Sequence, residues 1–273
     1  MKARTVTLAI LGLVFASSAM AKTNDCTPII AVPYVIVSSG TYCLTRDITA
    51  EMATSAAVTI TANDVVLDMN GYALDNSTAG SATDAAGIAM SGAQRITVRN
   101  GTLRGFAYGI NGGAAGGVIE NMLIVGSTKW GMYVVTDNLL VRNNRILKTG
   151  GSPTFGMSIG IWVAGPNARV LNNEVTDVKH VQAVGVAWGI AVGGNNAVIA
   201  GNRVSKVGTG CTGCQSHGIY AAGVTNATIK DNTVSDTQYG IYMANGTARY
   251  MGNTVQGVTT PYTGGTPAGN AKH

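Results

Sequence analysis

Residues 189–204 read GIAVGGNNAVIAGNRV, and residues 218–234 read GIYAAGVTNATIKDNTV. In each stretch a Gly-Ile pair opens a short alternating run. A second run ends at an Asn, and another apolar residue stands two positions later, Val204 after Asn202 and Val234 after Asn232. Apolar residues alternate with period 2, and no segment keeps a 3.6-residue spacing over three turns, so short strands are implied and helices are not. The unit recurs from Gly87, Gly109, Gly131, Gly160, Gly189, Gly218 and Gly240, at spacings of 22, 22, 29, 29, 29 and 22 residues. A weaker copy, Ala57-Val58-Thr59-Ile60, precedes the first.

A strand of three or four residues cannot bury its apolar side alone, so each unit must stack on the next as one coil of a solenoid, at about 4.8 Å per coil. The expected fold is all-β, a single-stranded parallel β-helix of about eight coils, with 22 residues per coil and 7-residue insertions. One inward row is expected from Ile88, Ile110, Met132, Ile161, Ile190, Ile219 and Ile241. A second is expected from Val98, Val118, Val141, Val170, Ile199, Ile229 and Tyr250. The recurring Asn121, Asn144, Asn173, Asn202, Asn232 and Asn253 suit turns, where the side chain bonds to backbone and left-handed geometry is tolerated. Stacked, they form an asparagine ladder, broken at Gly101.

Composition agrees with a turn-rich fold around an apolar core: 37 glycines, 46% hydrophobic and only 11% charged residues. At the amino end Lys2 and Arg4 precede an apolar run and Ala19-Met20-Ala21, the pattern of a signal peptide over residues 1–21 cut after Ala21. The run is shorter than the roughly 20 residues of a bilayer span. Export to the periplasm or the medium is expected, with no membrane span. Removing Lys2 and Arg4 takes the formal charge from +5 to +3, too mild to point to nucleic acid. Cys26, Cys43, Cys211 and Cys214 suit two disulfides in an oxidising compartment. Cys26–Cys43 and Cys211–Cys214 are the pairings favoured by position, although four cysteines allow three connectivities.

The GIxV and VxxNxV coils over residues 57–256, preceded by SGTYCLTRDI (39–48) and VVLDMNGYAL (65–74), resemble the right-handed parallel β-helix repeat proteins of the pectate-lyase-like superfamily. The resemblance implies right-handedness, which periodicity alone does not show. Asp68-Met69-Asn70-Gly71 resembles the first-coil signature of that superfamily and reads as a turn. Residues 22–56 are expected to form an amino-terminal cap, and 257–273 a polar carboxy-terminal tail or cap. The fold hosts lyases, hydrolases, epimerases and non-catalytic binders, so activity must be argued from the site.

The extra residues of the longer units all fall before the Gly-Ile strand, in Asn76–Ala86, Thr149–Ile159, Val178–Trp188 and Val207–His217. Stacking therefore places four loops on one edge, as at a binding face. Aromatic residues gather there too. Tyr108, Trp130, Trp188 and Tyr239, with His217, precede the Gly; Tyr133, Trp162, Tyr220 and Tyr242 follow the Ile. Alternation turns the second set outward. Exposed Trp and Tyr suit sugar rings, so Tyr133, Trp162, Tyr220, Tyr242, Trp130 and Trp188 are candidate ligand-binding residues; packing across strands is the competing role.

The Gly-Ile strands carry no Asp, Glu, Lys or Arg, whereas glycoside hydrolysis ordinarily uses two carboxylates. Acid–base chemistry would have to come from loop-edge residues, with Lys129, His180, His217 and Asp84 the weak catalytic candidates and Lys179 and Asp177 beside them. A lyase would need such a base and Ca²⁺ or another cation; otherwise no cofactor or metal is expected. Cys211, Cys214 and His217 could instead supply three zinc ligands. Arg99, Arg142 and Lys230 share one outward position, with Ile119, Leu171 and Ala200 between them, a candidate polyanion groove. The expected function is glycan recognition along the loop-edged aromatic face, with or without lyase or hydrolase activity. The alternative is a non-catalytic surface or structural protein. An open carboxy-terminal end would invite self-association.

Overall fold

The computed structural model describes residues 25–267, 271 and 272. The segment read as a signal peptide lies outside them. All strand pairings are parallel, and each strand pairs with those one coil before and after it. The result is a three-faced right-handed β-helix. Its Gly-Ile face includes Ala86–Gln94, Tyr108–Ala115, Trp130–Val135, Met157–Ala164, Val186–Val192 and Gln215–Ala222. A second face includes Val65–Asp68, Leu140–Arg142, Arg169–Leu171, Val198–Ala200, Ala227–Lys230 and Ala248–Met251; a third includes Arg145–Gly150, Glu174–His180 and Arg203–Thr209.

The strands continue beyond the expected boundaries. Tyr34–Ile36, Gly40–Leu44 and Ile48–Thr49 stack in register on the following coil, so the expected amino-terminal cap is itself a coil. Cys26 and Cys43 are disulfide-bonded there, with Cα atoms 5.8 Å apart. At the other end Thr254–Thr263 adds another rung past the expected end at 256. Tyr250 and Tyr262 stack at 5.2 Å over the end of the core, and their hydroxyls donate to the carbonyls of Gly264 and Asn253.

The inward row from Ile88 to Ile241 is buried as expected. The second row differs at one residue: Val98, Ile119 and Val141 are in register, and Ile119 takes the inward place expected of Val118. The same one-residue shift affects Asn121. Met122 aligns with Gly101 and its backbone amide donates to Asn144 Oδ1, while Asn121 sits at the corner with φ 54°. Ile124, rather than Leu123, is then the inward residue aligned with Ile146. Glu120, in turn, takes the place expected of Ile119 between Arg99 and Arg142. Arg142 pairs with Glu120 at 2.6 Å and Arg99 with Asp68 at 2.9 Å. Carboxylates therefore neutralise two of the three cations of the candidate polyanion groove; Lys230, aligned with Ala200 and Met251, has no ion pair among the described residues.

The ladder proper runs through Asn144, Asn173, Asn202, Asn232 and Asn253, all at most 1% exposed. Asn202 shows its logic. Its Oδ1 accepts from the Asn173 amide (2.9 Å) and from Asn173 Nδ2 (3.0 Å), while its Nδ2 donates to Asn232 Oδ1 (2.9 Å) and to the Val170 carbonyl (2.8 Å). All four hydrogen-bonding positions of the buried amide are used. The Gly of each Gly-Ile pair is fixed by space: a Cβ on Gly131 would lie 2.5 Å from the Gly160 carbonyl oxygen and 2.6 Å from Ile146 Cγ2.

Replacing Asn202 by Ala orphans several buried partners at once, so urea denaturation should show a loss of about 3 kcal/mol. Asn167→Ala, at an exposed corner with φ 60°, should cost only about 1 kcal/mol, mostly through its left-handed backbone.

Candidate functional site

Gly and Ile of each repeat both face inward, so the residues on either side of the pair face outward. In register, Tyr108, Trp130, Ile159, Trp188, His217 and Tyr239 form one outward row, and Asn111, Tyr133, Trp162, Ala191, Tyr220 and Tyr242 the other. The two rows interleave. Ile159 leaves its place in the first row to Trp162 of the second, and Ala191 leaves its place in the second to Trp188 of the first. A single stack results: Trp130–Trp162 at 6.0 Å and 10°, Trp162–Trp188 at 5.5 Å and 25°, Trp188–Tyr220 at 4.2 Å and 7°, Tyr220–Tyr242 at 5.6 Å and 5°.

Offset stacking of this kind turns ring faces toward one another along the rod; it leaves tyrosine edges toward solvent, while the indole N–H groups of Trp130 and Trp188 are enclosed without a partner. Trp188 is buried at 9% exposure, while Trp130, Tyr133, Trp162, Tyr220 and Tyr242 are half-buried. Ile159, Trp188 and Ala191 form a small apolar cluster of their own outside the main core, packed by Trp130, Met157, Trp162, Val186 and Tyr220. The four insertions border this layer. They are ordered by the same stacking, with Met157, Val186 and Gln215 in register. Phe155, in the second insertion, adds an edge contact to Trp130 at 5.6 Å. Phe155 lies outside the strand repeat, so no periodicity in the sequence marks it.

Each weak catalytic candidate has a structural partner or is enclosed. Lys129 is 8% exposed; its ammonium pairs with Asp84 and lies 5.0 Å from the Phe155 ring centroid and 5.7 Å from that of Tyr108. This cation ties the first insertion to the second. His180 is buried, and its Nε2 lies 3.0 Å from the Val184 carbonyl, pinning the third insertion. Cys211 and Cys214 are bonded to each other, closing the fourth insertion and leaving no thiolates for zinc. Among the described residues no three His, Cys, Asp or Glu gather as metal ligands.

His217 is 1% exposed, stacked on Tyr239 at 4.8 Å and edge-on to Tyr242 at 4.8 Å, with neither ring nitrogen hydrogen-bonded. Burial pushes its pKa down from 6.5 to about 4. Burial pushes the Tyr220 phenol up, so at neutral pH it keeps its proton and is a donor. For Tyr108, too, burial is the main cause of an upward shift.

Residues 55–204 match the family described as the right handed beta helix region, and the chain belongs to that family. No curated protein matches the chain in sequence. Among solved structures, the Dettilon tailspike protein aligns with a TM-score of 0.60 at 16% identity, covering 90% of this chain and 54% of its own. The chain thus spans about half the length of that tailspike. The periplasmic alginate epimerase AlgG aligns with a TM-score of 0.52 at 11% identity, covering 88% of this chain and 77% of its own. Tailspike protein 2 of bacteriophage CBA120 gives 0.55 at 15%, covering 81% and 35%. At identities this low the superpositions show a shared fold alone.

The unfolded chain binds a proton at His217 near pH 6.5 and the folded chain only near 4. Its contribution to stability is complete above 6.5 and is lost as pH falls toward 4. Thermal unfolding should show Tm falling across that window, and His217→Phe should remove the part of the fall due to this residue.

Proposed function

We propose that this β-helix recognises a polysaccharide along its Gly-Ile face. The observation that carries the reading is the continuous Trp130–Trp162–Trp188–Tyr220–Tyr242 stack, bordered on one edge by four ordered insertions. Such a face is long, rigid and uncharged, with amphipathic ring edges, and suits an extended polymer more than a small ligand. The Dettilon tailspike protein and the periplasmic alginate epimerase AlgG, the latter named for a polysaccharide, share the fold, and the reading agrees with them at that level alone.

Recognition is favoured over catalysis. Lys129 and Asp84 are paired, His180 is tied to Val184, and His217 is enclosed by tyrosines. A buried imidazole with a pKa near 4 is a poor base where the solvent is neutral. Export accords with the two disulfides, which form in oxidising compartments. Among the described residues no helix is long and apolar enough to cross a membrane.

One observation favours the second reading, a structural or protein-binding rod: the rings spend their faces on each other. The two readings separate by titration. Soluble polysaccharides added to the protein should shift tryptophan fluorescence, and Trp162→Ala should weaken binding about tenfold while the protein stays folded by circular dichroism. Absence of a shift with every polymer would support the structural rod.

A further inference from the structure

We infer that the polymer taken by this face is uncharged, a neutral hydroxyl-rich glycan and not a polyuronate; the inference rests on the proposed glycan-binding role. A polyuronate carries one carboxylate per sugar. Desolvating those carboxylates against an apolar face costs several kcal/mol each unless cations meet them. This face offers almost none. Lys129 is buried and already paired with Asp84, whose carboxylate reaches solvent and would repel an anion. Within the four insertions the one lysine or arginine is Lys179, exposed at the start of its loop and aligned with Gly150 and Gly208; just before the second and fourth insertions the exposed Lys148 and Lys206 stand on either side of Asp177 in the coil register, a carboxylate between two cations. The basic residues Arg99 and Arg142 lie on the second face and are neutralised by Asp68 and Glu120.

What the face does offer is neutral hydrogen bonding. The hydroxyls of Tyr133, Tyr220, Tyr239 and Tyr242 have no partner in the protein among the described residues and are not enclosed. Tyr220 and Tyr242 occupy adjacent coils of one row, so their hydroxyls repeat along the rod at roughly the 4.8 Å coil spacing. With the ring faces stacked, these edges are the groups available to a ligand. Neutral sugars match them: hydroxyls exchange hydrogen bonds with phenols, and no charge has to be stripped of water.

The test is calorimetric titration of the full chain with neutral polymers (galactomannan, xyloglucan, mixed-linkage β-glucan, dextran) and with polygalacturonate and alginate. At least one neutral polymer should bind, with affinity changing less than about twofold between about 0.05 and 0.5 M NaCl, and neither polyuronate should bind. The double variant Tyr220→Phe, Tyr242→Phe keeps the stack and removes two hydroxyls; it should weaken neutral binding about tenfold. Salt-sensitive binding of a polyuronate without neutral binding would overturn this inference and leave the glycan-binding reading standing. Unchanged affinity in the double variant would also overturn it. Binding to no polymer would overturn both.

Discussion

A coil of this solenoid makes almost no backbone hydrogen bonds with itself. Each amide must find its carbonyl on the neighbouring coil, so one coil is stable only where the next lies in register. The buried asparagine column is where side chains enforce that register. Asn144, Asn173, Asn202, Asn232 and Asn253 each bridge adjacent coils through side chain and backbone together. A one-coil slip or an inserted residue at that place would orphan buried amides on both sides. The 7-residue insertions are accordingly confined to the corner before the Gly-Ile strand, where no such column runs. That confinement gathers all four loops on one edge.

The aromatic face follows from the same stacking. Residues three apart across a Gly-Ile pair both point outward, and identical register brings each row into line. Packing then decides detail: where Ile159 or Ala191 is too small or too aliphatic to continue a row, the ring from the other row fills the gap. A packed second layer results, with Trp188 at its centre and Lys129 and the Cys211–Cys214 disulfide fixing its borders. Its rigidity argues for recognition of something extended.

Much of the fold was legible because Gly-Ile recurs with little variation and its spacing separates coil from insertion. The errors fall where two adjacent positions both accept asparagine. Asn143 and Asn144, or Asn172 and Asn173, fill the left-handed corner and the buried ladder together. Where a single Asn stands, as at Asn121, the pattern alone does not tell corner from ladder. Met122 takes the buried place, and Val118, Ile119 and Leu123 shift with it. The Arg99–Arg142 groove was misread for the same reason, because Glu120 moves into its row. The outward placement of Tyr133, Trp162, Tyr220 and Tyr242 was legible by alternation; that of the residues before the Gly was not, because it depends on the turn, and neither was the interleaving, which depends on ring contacts across coils. Nor does the sequence show that His180 and Lys129 are committed to loop contacts, which arise between residues up to 45 apart.

Hydroxyl-radical footprinting with a bound polymer tests most directly whether the stacked face is where ligand lies. Trp162, Tyr133, Tyr220 and Tyr242 should lose reactivity together when polymer is added, while Tyr34 and Tyr72 near the amino-terminal end keep theirs. Protection at the amino-terminal coils with the stacked residues unchanged would contradict the account.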